Sequence, residues 1–260
     1  MLRSRLIPSL LIQGKGLVKT QKFQNPRYIG DPINTIKIFN EKNIDEIFIS
    51  DIDVTVKKKE PNYKLIENLA IESRMPFCYS GGVNSIEKAL KIIELGVEKV
   101  AIGSAAVQNP KFISDLSDRI GKQSVVVVLD IKKTLFKKNY EIFTHNGKKA
   151  SGFSAKDFAL KMQSLGAGEI IINSIERDGC MQGYDLNLIN EVSENIHIPF
   201  TVLGGAGNLK DIGLVTSKHH PCGAAASSMF IFKGKHKAVL IQYPTFEEKE
   251  KILIPQQNLS

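Results

Sequence analysis

Asp130 stands near the end of the apolar run Val125 to Ile131, where a carboxylate at the tip of a buried strand can move a proton. Two glycine pairs, Gly81-Gly82 and Gly204-Gly205, are each followed at the same interval by a serine, Ser104 and Ser227. Glycine lets backbone amides approach an anion, and a helix beginning just beyond adds unsatisfied N–H groups and positive dipole. One such pair is weak evidence, because glycine commonly makes a turn. Two pairs with matched serines point to two phosphate sites: Gly82, Gly103 and Ser104 on one side, Gly204, Gly205, Ser227 and Ser228 on the other. The ligand implied is an elongated bisphosphate.

The doubling extends along the chain. Glu46-Ile47-Phe48-Ile49 returns as Glu169-Ile170-Ile171-Ile172, Leu65-Ile66 as Leu188-Ile189, and Pro76-Phe77 as Pro199-Phe200. Eight short apolar runs alternate with amphipathic stretches: Leu6–Ile12, Glu46–Asp51, Phe77–Tyr79, Lys99–Ile102, Val125–Asp130, Glu169–Asn173, Phe200–Leu203 and Gly223–Ala226. Helical spacing recurs in Ile86, Ala89, Leu90 and Ile93, and in Phe158, Ala159, Met162 and Leu165. Strands this apolar, separated by helices, predict a parallel sheet covered on its outer face. The fold class is therefore α/β, a single (β/α)8 TIM barrel over residues 1–260 built from half-barrels of about 1–122 and 123–260. Three stretches interrupt the pattern. Gly14–Asp31 is polar and aromatic-tipped and reads as a mobile loop over the mouth. Lys132–Gly152 reads as an inserted hairpin with its turn at Asn146-Gly147. Glu247–Ile252 reads as a short charged helix, followed by a frayed end.

Composition sets outer bounds. The 260 residues are 42% hydrophobic and 24% charged, ordinary for a globular enzyme. No apolar run approaches the roughly 18 residues of a membrane span, so no membrane partner is expected. Leu6–Ile12 is short for a signal segment and reads as the first strand. Three scattered cysteines without metal-ligand spacing fit a reduced cytoplasmic protein with no metal site. The net charge of +8 comes from dispersed lysines with few interleaved aromatics, which predicts a solvated basic surface and no nucleic-acid partner.

With these motifs in view the chain resembles the cyclase subunit (HisF type) of imidazole glycerol phosphate synthase, from histidine biosynthesis, almost end to end. The resemblance rests on Gly30-Asp31-Pro32, Ser80-Gly81-Gly82-Val83, Val127-Val128-Leu129-Asp130-Ile131-Lys132, Glu176-Arg177-Asp178-Gly179-Cys180-Met181-Gln182-Gly183-Tyr184-Asp185 and Gly204-Gly205-Ala206-Gly207. It implies a lyase-type (β/α)8 barrel without cofactor, joined in a heterodimer to a glutaminase subunit (HisH type) that supplies ammonia. The reaction implied turns a ribulosyl-aminoimidazole bisphosphate into imidazole glycerol phosphate and an aminoimidazole carboxamide ribotide. By the same resemblance Asp130 is a catalytic acid/base, and the two glycine–serine groups hold the phosphates. Asp51, Ser174 and Asp178 face substrate, and Lys19 belongs to a closing loop. Arg5, Glu46, Lys99 and Glu169 form a charged ring, two acids and two bases from alternate strands, at the ammonia inlet. The residues alone read equally as a salt-bridge layer capping the barrel floor.

Leu11 departs from the family, which carries a second catalytic aspartate there. Ring closure with carbon–nitrogen cleavage needs one group to give a proton and one to take it. Two readings follow. Asp51 or Asp178 substitutes in a cyclase of reduced activity. Alternatively, the chain resembles a divergent paralogue from surface-polysaccharide pathways, where a cyclase-like barrel passes ammonia to a sugar amidotransferase of lipopolysaccharide or O-antigen biosynthesis. A third barrel, the aldose–ketose isomerase of the same pathway, would need two mouth carboxylates and leaves the ring without a purpose.

Overall fold

The first strand, β1 (Arg5–Gln13), shows how the barrel is written into the chain. Side chains alternate between faces along a strand. Leu6, Leu10 and Ile12 therefore pack outward beneath the helices, while Ile7, Ser9 and Leu11 point inward. In this computed structural model, which describes residues 3–134 and 139–253, seven further strands repeat the pattern: β2 (Ile47–Asp51), β3 (Phe77–Ser80), β4 (Lys99–Ile102), β5 (Val125–Lys133), β6 (Glu169–Ser174), β7 (Phe200–Leu203) and β8 (Gly223–Ala226). Each pairs in parallel with the next, and β8 closes on β1 with Arg5 opposite Gly223 and Pro8 opposite Ala226. The result is the expected closed (β/α)8 barrel. Its interior is packed by Ile7, Phe48, Cys78, Val126, Ile171 and Ala225, while a larger apolar layer lies between strands and helices.

The helices begin where the sequence supplies caps. Asp31 accepts from the Asn34 amide ahead of Pro32, and Ser85, Ser154 and Asp185 cap later helices in the same way. Asn208 and Asp211 form a reciprocal capping box. The charged tail helix spans Phe246–Leu253, where buried Lys249 pairs with Asp45 at 2.6 Å. The end expected to fray lies outside the described residues.

The stretch expected as a mobile loop is instead a β-hairpin, Gly16–Gln21 paired with Gln24–Gly30, that continues antiparallel from β1. Its first arm is largely buried and its second largely exposed. The second arm shows no strand pattern in the sequence, because Gln24 to Tyr28 are exposed on both faces and the arm is held only by edge pairing to the first. The second insertion is a hairpin as expected, with Tyr140–Thr144 against β5 and Lys149–Ser154 beyond it.

Candidate active site

The two hairpins flank the C-terminal mouth of the barrel and enclose a cavity of about 450 Å³. The second hairpin is pinned over the mouth by Lys132 Nζ, which donates to the Gly147 carbonyl at 2.7 Å. The Asn146 amide also donates to the Ile52 carbonyl at 3.0 Å. The first hairpin is pinned through Asp178, in the loop after β6. Lys19 Nζ approaches Oδ1 at 2.7 Å, the Thr20 hydroxyl donates to Oδ2 at 2.8 Å, and the Lys22 amide donates to the Asp178 carbonyl at 2.9 Å. Gly179, at φ +70°, permits this approach, since a Cβ there would run into the Thr20 carbonyl.

The cavity wall carries Leu11, Asp51, Gly82, Gly103, Ser104, Asp130, Asn173 and Asp178. Asp130 is half-buried, and its Oδ1 accepts from Asn173 Nδ2 at 2.8 Å. Burial raises its carboxyl to about 6; the Asn173 bond opposes the rise and Asp178 adds to it. A carboxyl in that range can take and return a proton near neutrality. Asp51 is also pushed up by burial, opposed by the backbone amides of Asp53 and Val54. Asp178, with both oxygens engaged, holds the hairpin. Leu11 faces the same cavity from β1, so the mouth offers an apolar surface where a second acid would complete a pair.

The glycine–serine groups lie on this rim. Gly103 and Ser227 immediately precede two short helices, Ser104–Gln108 and Ser228–Ile231, whose first amides lack intrahelical partners. The first group shares the cavity wall with Lys58 and Lys59. The second lines a smaller concavity that shares Lys19, Asp178 and Leu203 with the first. Gly204 and Gly205, at φ +94° and +121°, carry the backbone past Ser174 and Gly183 at distances no side chain allows. The hydroxyls of Ser227 and Ser228 and Asn173 Oδ1 are buried, with no hydrogen-bond partner among the described residues. Buried polar atoms are nearly always bonded, and an unmade bond costs about 1–3 kcal/mol. Three such atoms at one mouth mark a surface shaped for a polar ligand.

At the opposite end Arg5, Glu46, Lys99 and Glu169 do form a ring. Lys99 reaches Glu46 and Glu169 at 2.9 Å each, and Arg5 pairs with Glu46 and, at 2.7 Å, with Glu169. Burial alone would raise Glu169, but Arg5, Lys99 and a 2.6 Å bond from Thr201 hold it down to about 2. Burial and the neighbouring Glu169 raise Glu46. The alternate-strand arrangement expected for the ring is only partly realised. Glu46 enters β2, and Lys99 and Glu169 open β4 and β6. Arg5 comes from β1 and fills the place that Gly223, opposite it on β8, leaves open. A Cβ at Gly223 would collide with Thr201.

Ser174 is buried at the end of β6 on the phase opposite to Asn173, and it lines neither concavity. Asn173, His145 and Asn146 also line the cavity, although the sequence motifs assign none of them a role in the site. The signal for Asn173 was present, since Glu169, Ile171 and Asn173 share one inward phase. Among the described residues no cluster of His, Cys, Asp or Glu is arranged to hold a metal, and no helix is long and apolar enough to cross a membrane.

Fold and site together define a (β/α)8 barrel with a half-buried acid at its mouth and a charged floor. Residues 5–237 match the family described as histidine biosynthesis protein, and the chain belongs to that family. It is 50% identical over 253 residues to the Vibrio vulnificus protein named "Putative imidazole glycerol phosphate synthase subunit hisF3", with 97% of each chain covered. A Pseudomonas aeruginosa protein named as subunit hisF2 with the same qualifier is 45% identical, over 94% of this chain and 97% of its own. The Pelodictyon phaeoclathratiforme protein named imidazole glycerol phosphate synthase subunit HisF is 36% identical, over 90% of this chain and 92% of its own.

Proposed function

We propose that this chain is the cyclase-type subunit of an imidazole glycerol phosphate synthase. It takes ammonia from a glutaminase partner seated at the charged floor and acts on a phosphorylated ribulosyl-aminoimidazole substrate. The observation that carries this reading is one mouth cavity with Asp130 on its wall and a glycine–serine group on either side. A bisphosphate anchored at Gly82, Gly103 and Ser104 and at Gly204, Gly205, Ser227 and Ser228 would span the mouth and pass over Asp130. Asp130 serves as one proton carrier. Asp51 is the carboxylate left to serve as the other, because Lys19 and Thr20 occupy Asp178.

Leu11 lowers the rate in this reading, since a missing general acid or base typically costs about 10²–10⁴-fold. The test is turnover of the ribulosyl-aminoimidazole bisphosphate with ammonium chloride, comparing wild type with Leu11→Asp. Slow wild-type turnover that rises by about two orders of magnitude or more in the variant supports the reading. No turnover by either protein overturns it.

The same Leu11 favours a second reading, in which the barrel passes ammonia to a sugar amidotransferase of lipopolysaccharide or O-antigen biosynthesis. Growth without histidine of a cyclase-deficient strain carrying this chain would exclude pure channelling.

A further inference from the structure

On β6 the inward positions stack along the barrel axis: Glu169 in the floor ring, Ile171 in the apolar interior and Asn173 at the mouth. Between ring and mouth, Ile7, Phe48, Cys78, Val126, Ile171 and Ala225 surround a cavity of about 10 Å³ that opens on Glu46, Glu169 and Thr201. That is room for about one water-sized molecule, with apolar walls that disfavour an ion. The first polar side chain above it on β6 is Asn173.

The two ends of the Asn173 amide are in different situations. Nδ2 donates to Asp130 Oδ1 at 2.8 Å, whereas Oδ1 is buried without a partner among the described residues. The orientation follows from chemistry: an ionised carboxylate only accepts, so the NH₂ end must face Asp130 and the carbonyl end must face away. Gly204 leaves that carbonyl end uncrowded, since a Cβ there would lie 3.2 Å from Asn173 Oδ1. A buried acceptor beside a carboxylate, above an apolar cavity of one-molecule size, suits a small neutral donor of N–H bonds.

We propose that Asn173 is a two-ended positioning residue: its Nδ2 fixes the Asp130 carboxylate, and its Oδ1 accepts a hydrogen bond from ammonia emerging from the barrel interior. This rests on the reading of the chain as an ammonia-using barrel. Ammonia has three N–H bonds and one lone pair. With one N–H directed to Asn173 Oδ1 and another to the free oxygen of Asp130, the lone pair is turned into the mouth cavity. Water can donate its two O–H bonds to the same acceptors, so the ammonia response has to be read against a salt control in the same water.

The test needs no turnover. The ¹³C resonance of the Asp130 carboxyl, assigned by its loss in Asp130→Asn, is followed during titration with ammonium chloride at pH 9, against sodium chloride at equal ionic strength. Wild type is expected to show a saturable shift with ammonium chloride alone. In Asn173→Leu the response weakens about tenfold or vanishes, as for one lost hydrogen bond, and Asp130 titrates at higher pH. Asn173→Asp, which keeps an acceptor but has no N–H, raises the Asp130 titration yet retains the ammonia response. This variant keeps the test open if the leucine variant fails to fold. No ammonia-specific shift in wild type, or an undiminished one in Asn173→Leu, overturns the proposal. Absence of cyclase turnover alongside a positive titration would instead sink the proposed reaction and leave the role of Asn173 standing.

Discussion

Lys19 Nζ lies 2.7 Å from Asp178 Oδ1, and with side-chain exposures of 4% and 10% the two tie the first hairpin to the loop after β6. Thr20 completes the grip on Asp178. The hairpin is therefore held shut by a buried charge pair that also forms part of the cavity wall.

Breaking a buried pair from one side leaves an uncompensated charge and costs about 3–5 kcal/mol, whereas replacing both partners is far milder. Lys19→Met is expected to lower stability by that order, and Lys19→Met with Asp178→Asn to recover most of it. Urea unfolding of the two variants measures this, and amide exchange across 16–30 reports whether the hairpin opens first. Equal stability of single and double variants would show that the pair contributes little.

The serine hydroxyls at the second glycine group make the opposite case. Among the described residues Ser227 and Ser228 Oγ have no partner to lose, so Ser227→Ala with Ser228→Ala should leave thermal stability within about 0.5 kcal/mol of wild type or raise it. Binding of inorganic phosphate or ribose 5-phosphate, followed by calorimetry, should weaken about tenfold or more, since hydrogen bonds to a charged group are worth about 1.5–3 kcal/mol. Unchanged phosphate affinity would mean that these hydroxyls face no anion.

How far the sequence leads is clear from these elements. All eight barrel strands are legible, because a strand buried on both faces is a short apolar run whatever surrounds it, β-branched in Val125–Val128 and small in Gly223–Ala226. The glycine–serine groups are legible because the chain states them twice. The first hairpin is not: Gln24–Gly30 is exposed on both faces over most of its length, so nothing forces alternation. Arg5 also escapes a strand-by-strand reading. Its place in the ring depends on Gly223, which lies far away in sequence and opposite only once the barrel closes. Asn173 looks like a polar strand end, and only the hydrogen bond to Asp130 distinguishes it.

Asp130 gives a pH-dependent prediction. Its carboxyl titrates at about 6 in the fold against an ordinary 3.8. An acid raised by folding holds its proton more tightly in the native state, so its contribution is fully present below the ordinary value and is lost as pH rises through about 6. Asp130→Asn removes that loss. The variant should match wild type near pH 3.5 and exceed it by up to about 3 kcal/mol at pH 8, measured by urea unfolding at both values. On the proposed reading, in which Asp130 carries a proton, cyclase turnover should fall with the same substitution, so that stability and activity move in opposite directions.

The floor ring makes a sharper pH prediction, because its two acids are not equivalent. Among the described residues Glu169 has Arg5, Lys99 and Thr201 as donors, while Glu46 has only the two cations and is raised by burial and by Glu169. Lys99→Met leaves two buried carboxylates against one guanidinium, and Glu46 is the one that must take up a proton. Its carboxyl then rises further, so the variant is hurt least where Glu46 is protonated and most where it is ionised. Unfolding free energies are expected to fall below wild type by about 3–5 kcal/mol at pH 8, with a clearly smaller deficit at pH 5. Lys99→Met combined with Glu46→Gln removes the surplus charge and should erase the pH dependence of the deficit. A deficit equal at both pH values in the single variant would show that the surplus charge is relieved by water entering the floor, not by a proton on Glu46.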